Sequence, residues 1–265
     1  MSTSTLSTAT GTFRIDLQGP ADAPVVVLSN SLGTTFEMWD GLAKALSGSF
    51  RVLRYDTRGH GESVCTPGPY SFSLLGQDVL SILDALHIEK AHFCGISMGG
   101  LTGLWLGVNA AARLHSITVA NSAAKIGTAS AWQERATMVR SQGVAGMQTL
   151  ASSAPSRWFT ETFCHTHPEL VKTAQSWVAG ISPEGYASCC EALAQEDLRS
   201  KLHTIATPTL LIAGEFDPVT TVADAQAMQS AIPHARLVQL PASHLSNLEA
   251  PETFAQALTS FIHRG

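Results

Sequence analysis

The sequence predicts an α/β domain on a mostly parallel, doubly wound sheet, with an all-helical segment inserted into it. Three observations lead there. From residue 13 to residue 120, short apolar runs rich in β-branched residues alternate with stretches of helical period. From Asn121 to about Arg199 there are helical signals and no convincing strand. Strand signals then return at Thr209 and Ala235. Residues 1–121 and 200–265 therefore read as one core, and 122–199 as a helical cap.

Taken in order, Phe13 to Leu17 alternates as a strand, after an N-terminal Ser/Thr-rich stretch (MSTSTLSTATG) that reads as a mobile tail. Val25 to Leu28 is a continuous apolar run, as a strand buried on both faces requires. Phe36 to Leu46 reads as helix and Val52 to Tyr55 as strand. A polar, Gly-punctuated loop follows, Asp56 to Ser63. Apolar residues at 74, 75, 79, 82, 83 and 86 give a helix over Leu74–Leu86. His92-Phe93-Cys94 is a strand that runs into Gly95-Ile96-Ser97-Met98-Gly99-Gly100 and then an apolar helix; Ser116–Ala120 is the next strand. In the insert, Ala131–Arg140 and Val144–Leu150 read as helices, and Ser182-Pro183-Glu184 supplies an N-cap, a proline at the first helical position and an early acid for a helix to Leu193. Thr209–Ala213 and Ala235–Leu240 are the last strands, and Pro251 opens a helix to His263.

Composition narrows the function. The 265 residues are 45% hydrophobic, enough for a large core, and no run is long and apolar enough to span a membrane. A net charge of −5 without a basic cluster argues against nucleic-acid binding. It also means that an anionic substrate must find a local cation. The five cysteines are odd in number and lack C-x-x-C spacing, which points to reduced thiols in a cytoplasm. The N-terminus has neither the basic region nor the apolar region of a signal peptide. No cluster has metal-ligand spacing and no phosphate-binding Gly-rich loop is present, so no metal or organic cofactor is expected. The oligomeric state is not legible.

The chemistry gathers at strand ends. Gly95-x-Ser97-x-Gly99 between a strand and a helix places a serine at the apex of a tight turn. A plain glycine-rich connection with an N-capping serine is the alternative. Asp217 and His244 also follow predicted strands, at the sheet edge where sites form in doubly wound folds. Singly, Asp217 before Pro218 reads as a turn residue and His244 as a loop histidine. Together with Ser97 they give the order Ser, Asp, His expected of an α/β-hydrolase. His244 would take the Ser97 proton and Asp217 would hold the imidazolium. The backbone N–H groups of Met98 and Leu32 would bind the oxyanion. His60 is a rival base and Glu215 a rival acid.

With these residues in place, the chain resembles the α/β-hydrolase superfamily over nearly its whole length, through GISMG, DTRGHGES, GEFDP and ASHLSNLEAPETF. More narrowly it resembles the 3-oxoadipate enol-lactonases of aromatic catabolism, through LSNSLGTTFEMWD, SAAKIGTASAWQERATMVRSQG, SRWFTETF and SPEGYASCCEALAQEDLR. One departure from the wider superfamily is Asn30-Ser31 where His-Gly is common. The resemblance implies a small anionic lactone as substrate and an acyl-enzyme route. The acetate arm of such a lactone needs an arginine. The cap offers Arg135, Arg140 and Arg157, with Lys125; Arg135 is favoured because it lies one helical turn from Trp132, and Trp132 and Trp158 are candidate contacts for the lactone ring. The alternative for both tryptophans is packing of cap on core. Two other functions fit the same fold: a carboxylesterase, perhydrolase or carbon–carbon bond hydrolase, and a binding module without turnover. A dehalogenase does not fit, because its nucleophile is a carboxylate.

Overall fold

The computed structural model describes residues 4–263. Its eight strands form one sheet in the order β1-β2-β4-β3-β5-β6-β7-β8. The parallel part is built by β3 (Val25–Ser29), β4 (Arg51–Tyr55), β5 (Ala91–Ile96), β6 (Leu114–Ala120), β7 (Thr209–Gly214) and β8 (Arg236–Leu240). β3 and β7 are buried along their whole length and β5 at every residue but His92, which is why they read as apolar runs. β2 (Gly11–Gln18) adds antiparallel to β4.

The N-terminal segment departs from its expectation. Ser4–Thr8 is not a tail but a strand, β1, paired antiparallel with β2 as an edge hairpin. Residues 1–3 lie outside the described residues. The Thr and Ser of β1 hid it: alternating exposure on an edge strand leaves only Leu6 as an apolar signal. Thr8 closes the turn, its hydroxyl donating to the Gly11 carbonyl at 2.8 Å.

Helices cover both faces: α1 (Asp40–Leu46), α2 (Phe72–Ala85), α3 (Met98–Asn109), and α10 (Val222–Ala231) and α12 (Pro251–Ile262) in the C-terminal part. Phe36–Trp39 is a 3₁₀ turn ahead of α1, so the expected helix there is shorter than predicted. Between β6 and β7 stand α4 (Ala129–Gln142), α5 (Val144–Ser153), α6 (Pro155–Trp158), α7 (Glu161–Thr166), α8 (Pro168–Gly180) and α9 (Pro183–Gln195), and no strand. A last short helix, α11 (Ser246–Glu249), follows β8.

α9 is the seam between this helical segment and the sheet. It starts as read, with Ser182 accepting from the Gly185 N–H. Gly185 then lies against the Gly59 backbone so closely that a Cβ on either residue would overlap the other. Around that contact, Glu184 accepts from the Gly68 N–H at 3.0 Å and the Tyr70 N–H reaches the Ser188 carbonyl at 3.3 Å. Arg140 of α4 closes the network onto Glu184 and Glu191. Cys189 and Cys190 are buried and free, as small core residues are.

Two glycines in successive helices respond oppositely to a methyl group. At Gly76 of α2 a Cβ would enter the Trp105 ring of α3, whereas at Gly41 of α1 nothing lies within 4 Å. Gly76→Ala should lower stability by about 2 kcal/mol through overpacking. Gly41→Ala should raise it by about 0.5 kcal/mol through backbone entropy. Denaturant midpoints of the two variants check this, and shifts of the same sign would contradict the packing described.

Candidate active site

The site is built where β5 turns into α3. Ser97 adopts φ 56° and ψ −116°, a conformation strained for any residue with a side chain. The surroundings impose it. A Cβ at Gly95 would overlap the Gly99 carbonyl, and one at Gly99 the Ser29 carbonyl. The turn is pinned by the Ser97 N–H to the Ala120 carbonyl (3.0 Å), by Ser122 Oγ donating to the Ser97 carbonyl (2.7 Å), and by the Gly99 N–H to the Asn30 carbonyl (3.1 Å). Ser97 keeps 7% exposure, enough to present its hydroxyl to a cavity.

Asp217 and His244, from the loops after β7 and β8, meet there. His244 Nδ1 donates to Asp217 Oδ2 at 2.8 Å, so the neutral ring carries its proton on Nδ1 and leaves Nε2 as an acceptor. Oδ2 also accepts from Thr220 Oγ1 at 2.8 Å and Asn121 Nδ2 at 3.0 Å; Oδ1 accepts the N–H groups of Val219 and Thr220. Burial alone would raise this carboxyl. The facing His244 and these hydrogen bonds override it and hold Asp217 at about 2.

Ser97 and His244 line one cavity of about 210 Å³, together with Ser31, Leu32, Trp132, Arg135, Arg157 and Trp158. No hydrogen bond joins the Ser97 hydroxyl to the imidazole among the described residues; in unliganded sites this contact commonly tightens only with substrate. The N–H groups of Leu32 and Met98 have no partner among the described residues, and Met98 N–H stands at the positive end of α3. Both are thus free to receive an oxyanion. Asn30, at the Asn30-Ser31 departure, serves structure: its amide donates to the Tyr55 carbonyl (3.1 Å) and accepts from Trp39 Nε1 (3.0 Å).

The rivals are accounted for. His60 is buried with both ring nitrogens engaged, Nε2 by the Gly33 N–H (2.9 Å) and Nδ1 by the Arg58 carbonyl (3.2 Å). Burial pushes it down to about 4. It orders the loop beside Leu32 and has no lone pair left for a substrate. Glu215 is exposed beside the strand end, and the His244 ring bonds Asp217 instead.

Of the four candidate cations, Lys125 pairs with Asp197 at 3.4 Å and Arg140 with Glu184 and Glu191. Arg135 and Arg157 line the cavity, and no carboxylate pairs with either among the described residues. Arg135 lies 4.8 Å from the Trp132 ring centroid, as their spacing predicts. Arg157 donates to the Ser153 carbonyl and hydroxyl, each at 3.0 Å. Burial and then the nearby Arg135 charge pull its pKa below the usual arginine range. The cavity is thus lined by two arginines, where the sequence favoured Arg135.

Sequence reasoning missed Asn121 and Thr220. Asn121 sits at φ 42°, one residue past β6, and its amide also donates to the Ser243 carbonyl at 3.1 Å. Its place at a strand end was the available signal. Thr220, three residues after Asp217, is a turn position whose hydroxyl had no marker beyond spacing.

Comparison with known proteins agrees with this geometry. Residues 24–251 match the model of the alpha/beta hydrolase fold family. The chain is 50% identical to 3-oxoadipate enol-lactonase 1 of Acinetobacter baylyi, over 95% of this chain and 93% of that protein. It is 31% identical to a putative carbamate hydrolase, RutD, of Pseudomonas syringae, over 91% and 95%. Among solved structures, the enol-lactonase of Burkholderia xenovorans LB400 superposes with a TM-score of 0.95 at 40% identity, covering 98% of this chain and all of that one (100%).

Asp217 supplies a pH test. A carboxyl held below its unfolded value stabilises the fold above that value, and the gain is lost as pH falls through the folded value. A drop from 3.8 to about 2 is worth about 2 kcal/mol at neutral pH. Asp217→Asn should therefore lose about that much at neutral pH. The gap to wild type should close as pH falls from 3.8 to about 2. Urea unfolding across this window measures it; a gap independent of pH would show that the carboxylate is not the stabilising group.

Proposed function

The chain belongs to the α/β-hydrolase family, and from that membership and its site we propose that it hydrolyses 3-oxoadipate enol-lactone to 3-oxoadipate with a Ser97–His244–Asp217 triad. The observation that carries the choice of substrate is the pair of arginines without carboxylate partners, Arg135 and Arg157, facing the same cavity as Ser97. A buried carboxylate without a partner is costly, and two guanidiniums without one seek an anion. The acetate arm of the enol-lactone is that anion. The 50% identity to an Acinetobacter enol-lactonase and 40% identity to the Burkholderia enzyme support the same reading.

The steps follow from the geometry. With the acetate arm on Arg135 and Arg157, the lactone carbonyl lies toward Ser97. Ser97 Oγ attacks it while His244 Nε2 takes the hydroxyl proton, and Asp217 stabilises the imidazolium through Nδ1. The carbonyl oxygen, now an oxyanion, is received by the Leu32 and Met98 N–H groups. The ring C–O bond breaks, and the enol oxygen takes the proton from His244 and tautomerises to the ketone. The product skeleton remains on Ser97 as an ester. Water, deprotonated by His244, adds to that ester; Ser97 leaves with the proton and 3-oxoadipate departs. None of these steps needs a metal or an organic cofactor.

We take residues 122–199 as the cap that closes this cavity, with Trp132 and Trp158 as its apolar walls. We place the enzyme in the cytoplasm, where five free thiols are stable. Among the described residues no helix is long and apolar enough to cross a membrane.

Loss of enol-lactone ultraviolet absorbance tests the proposal. Ser97→Ala should reduce kcat by at least about 10⁴-fold. Arg135→Ala and Arg157→Ala should each raise KM for the lactone by about 10- to 100-fold, the worth of one charge-assisted bond. KM for a neutral p-nitrophenyl ester should barely move. Equal effects on both substrates would remove the arginines from the site, and wild type that turns over only neutral esters would make the protein a carboxylesterase.

A further inference from the structure

We infer that Glu249 is a positioning residue, which ties the loop carrying His244 to residues 158–160 of the helical segment and so sets where the imidazole stands relative to Ser97. The inference rests on the serine-hydrolase reading above. It adds a residue that touches neither the lactone nor the triad side chains.

The geometry is a strap on each side of the histidine. On one side, Ser243 N–H donates to Glu249 Oε2 at 2.8 Å. The other oxygen, Oε1, accepts from the Thr160 N–H at 3.2 Å and from the Thr160 hydroxyl. On the other side, Leu245 N–H donates to the Trp158 carbonyl at 3.1 Å. The two residues flanking His244 thus both hang on residues 158–160. That three-residue stretch begins with a side chain lining the cavity, Trp158, and follows Arg157. Contact with substrate and placement of the base therefore share one piece of backbone.

The chemistry of the strap selects a carboxylate. Three donors converge on it, and it has no proton to bring into conflict. Thr160 Oγ1 already accepts from the Phe163 N–H at the start of α7, which turns its own proton toward Glu249. Ser243 is further fixed through its carbonyl by Asn121 and through its hydroxyl by the Phe216 carbonyl. Remove the Glu249 acceptor, and the Ser243 N–H loses its partner while its other two bonds remain. The loop then relaxes around His244, and a displacement of about 1 Å at a reacting group can cost about 100-fold in rate.

Labelling of Ser97 by a fluorophosphonate reads the base directly, whatever the natural substrate. Glu249→Gln keeps the shape but presents an amide N–H to one of the donors. It should slow labelling and lower kcat for the lactone by about tenfold or more, with KM within about twofold of wild type. Thr160→Ser should keep the wild-type rate, and Thr160→Val should lose it to a similar degree as Glu249→Gln, which serves if that variant does not fold. Wild-type labelling rates in both Glu249→Gln and Thr160→Val, with only a lower Tm, would overturn the inference and leave Glu249 an ordinary seam contact. A raised KM with unchanged labelling would overturn it as well. An unlabelled wild type would instead sink the hydrolase reading, and this inference with it.

Discussion

The buried bond from His244 Nδ1 to Asp217 Oδ2, 2.8 Å long, is the contact on which the rest of the site depends. It chooses the tautomer, and the tautomer decides which nitrogen can take a proton. The bond in turn depends on a carboxylate that stays charged under burial. Asp217 does so because both its oxygens are filled by donors from three parts of the chain: the end of β6, its own turn and the loop after β8. Position and charge state are thus set by the same hydrogen bonds.

The sheet exists to bring those parts together. Ser97 follows β5, Asn121 follows β6, Asp217 follows β7 and His244 follows β8, and these strands are adjacent and parallel. Residues more than a hundred positions apart therefore arrive at one edge without any long-range signal between them. The strain at Ser97 is tolerated because its glycine neighbours leave no other way for the backbone to pass.

This explains what could be read from the chain alone. Apolar buried strands announced themselves, with Ser97 and Asp217 just beyond two of them and His244 just beyond the partly exposed β8, so topology did the rest. β1 was hidden because an edge strand with one solvated face needs few apolar residues, and its Ser and Thr resemble a linker. Arg157 could not be separated from Arg140 by sequence, since both follow helical patterns in the insert. What separates them is partners in space: Arg140 meets Glu184 and Glu191, some fifty positions on, while Arg157 faces the cavity. Thr220 and Asn121 matter through a few individual hydrogen bonds, which leave no periodic trace.

The contact of Gly59 with Gly185 has a consequence for transplanting parts between relatives. One glycine lies in the sheet's loop and the other in the first turn of α9, and their backbones touch where any side chain would intrude. A helical insert grafted from another enzyme onto this sheet would seat only if it brought a glycine at the matching place. Donor choice for such a chimera should start from that one residue.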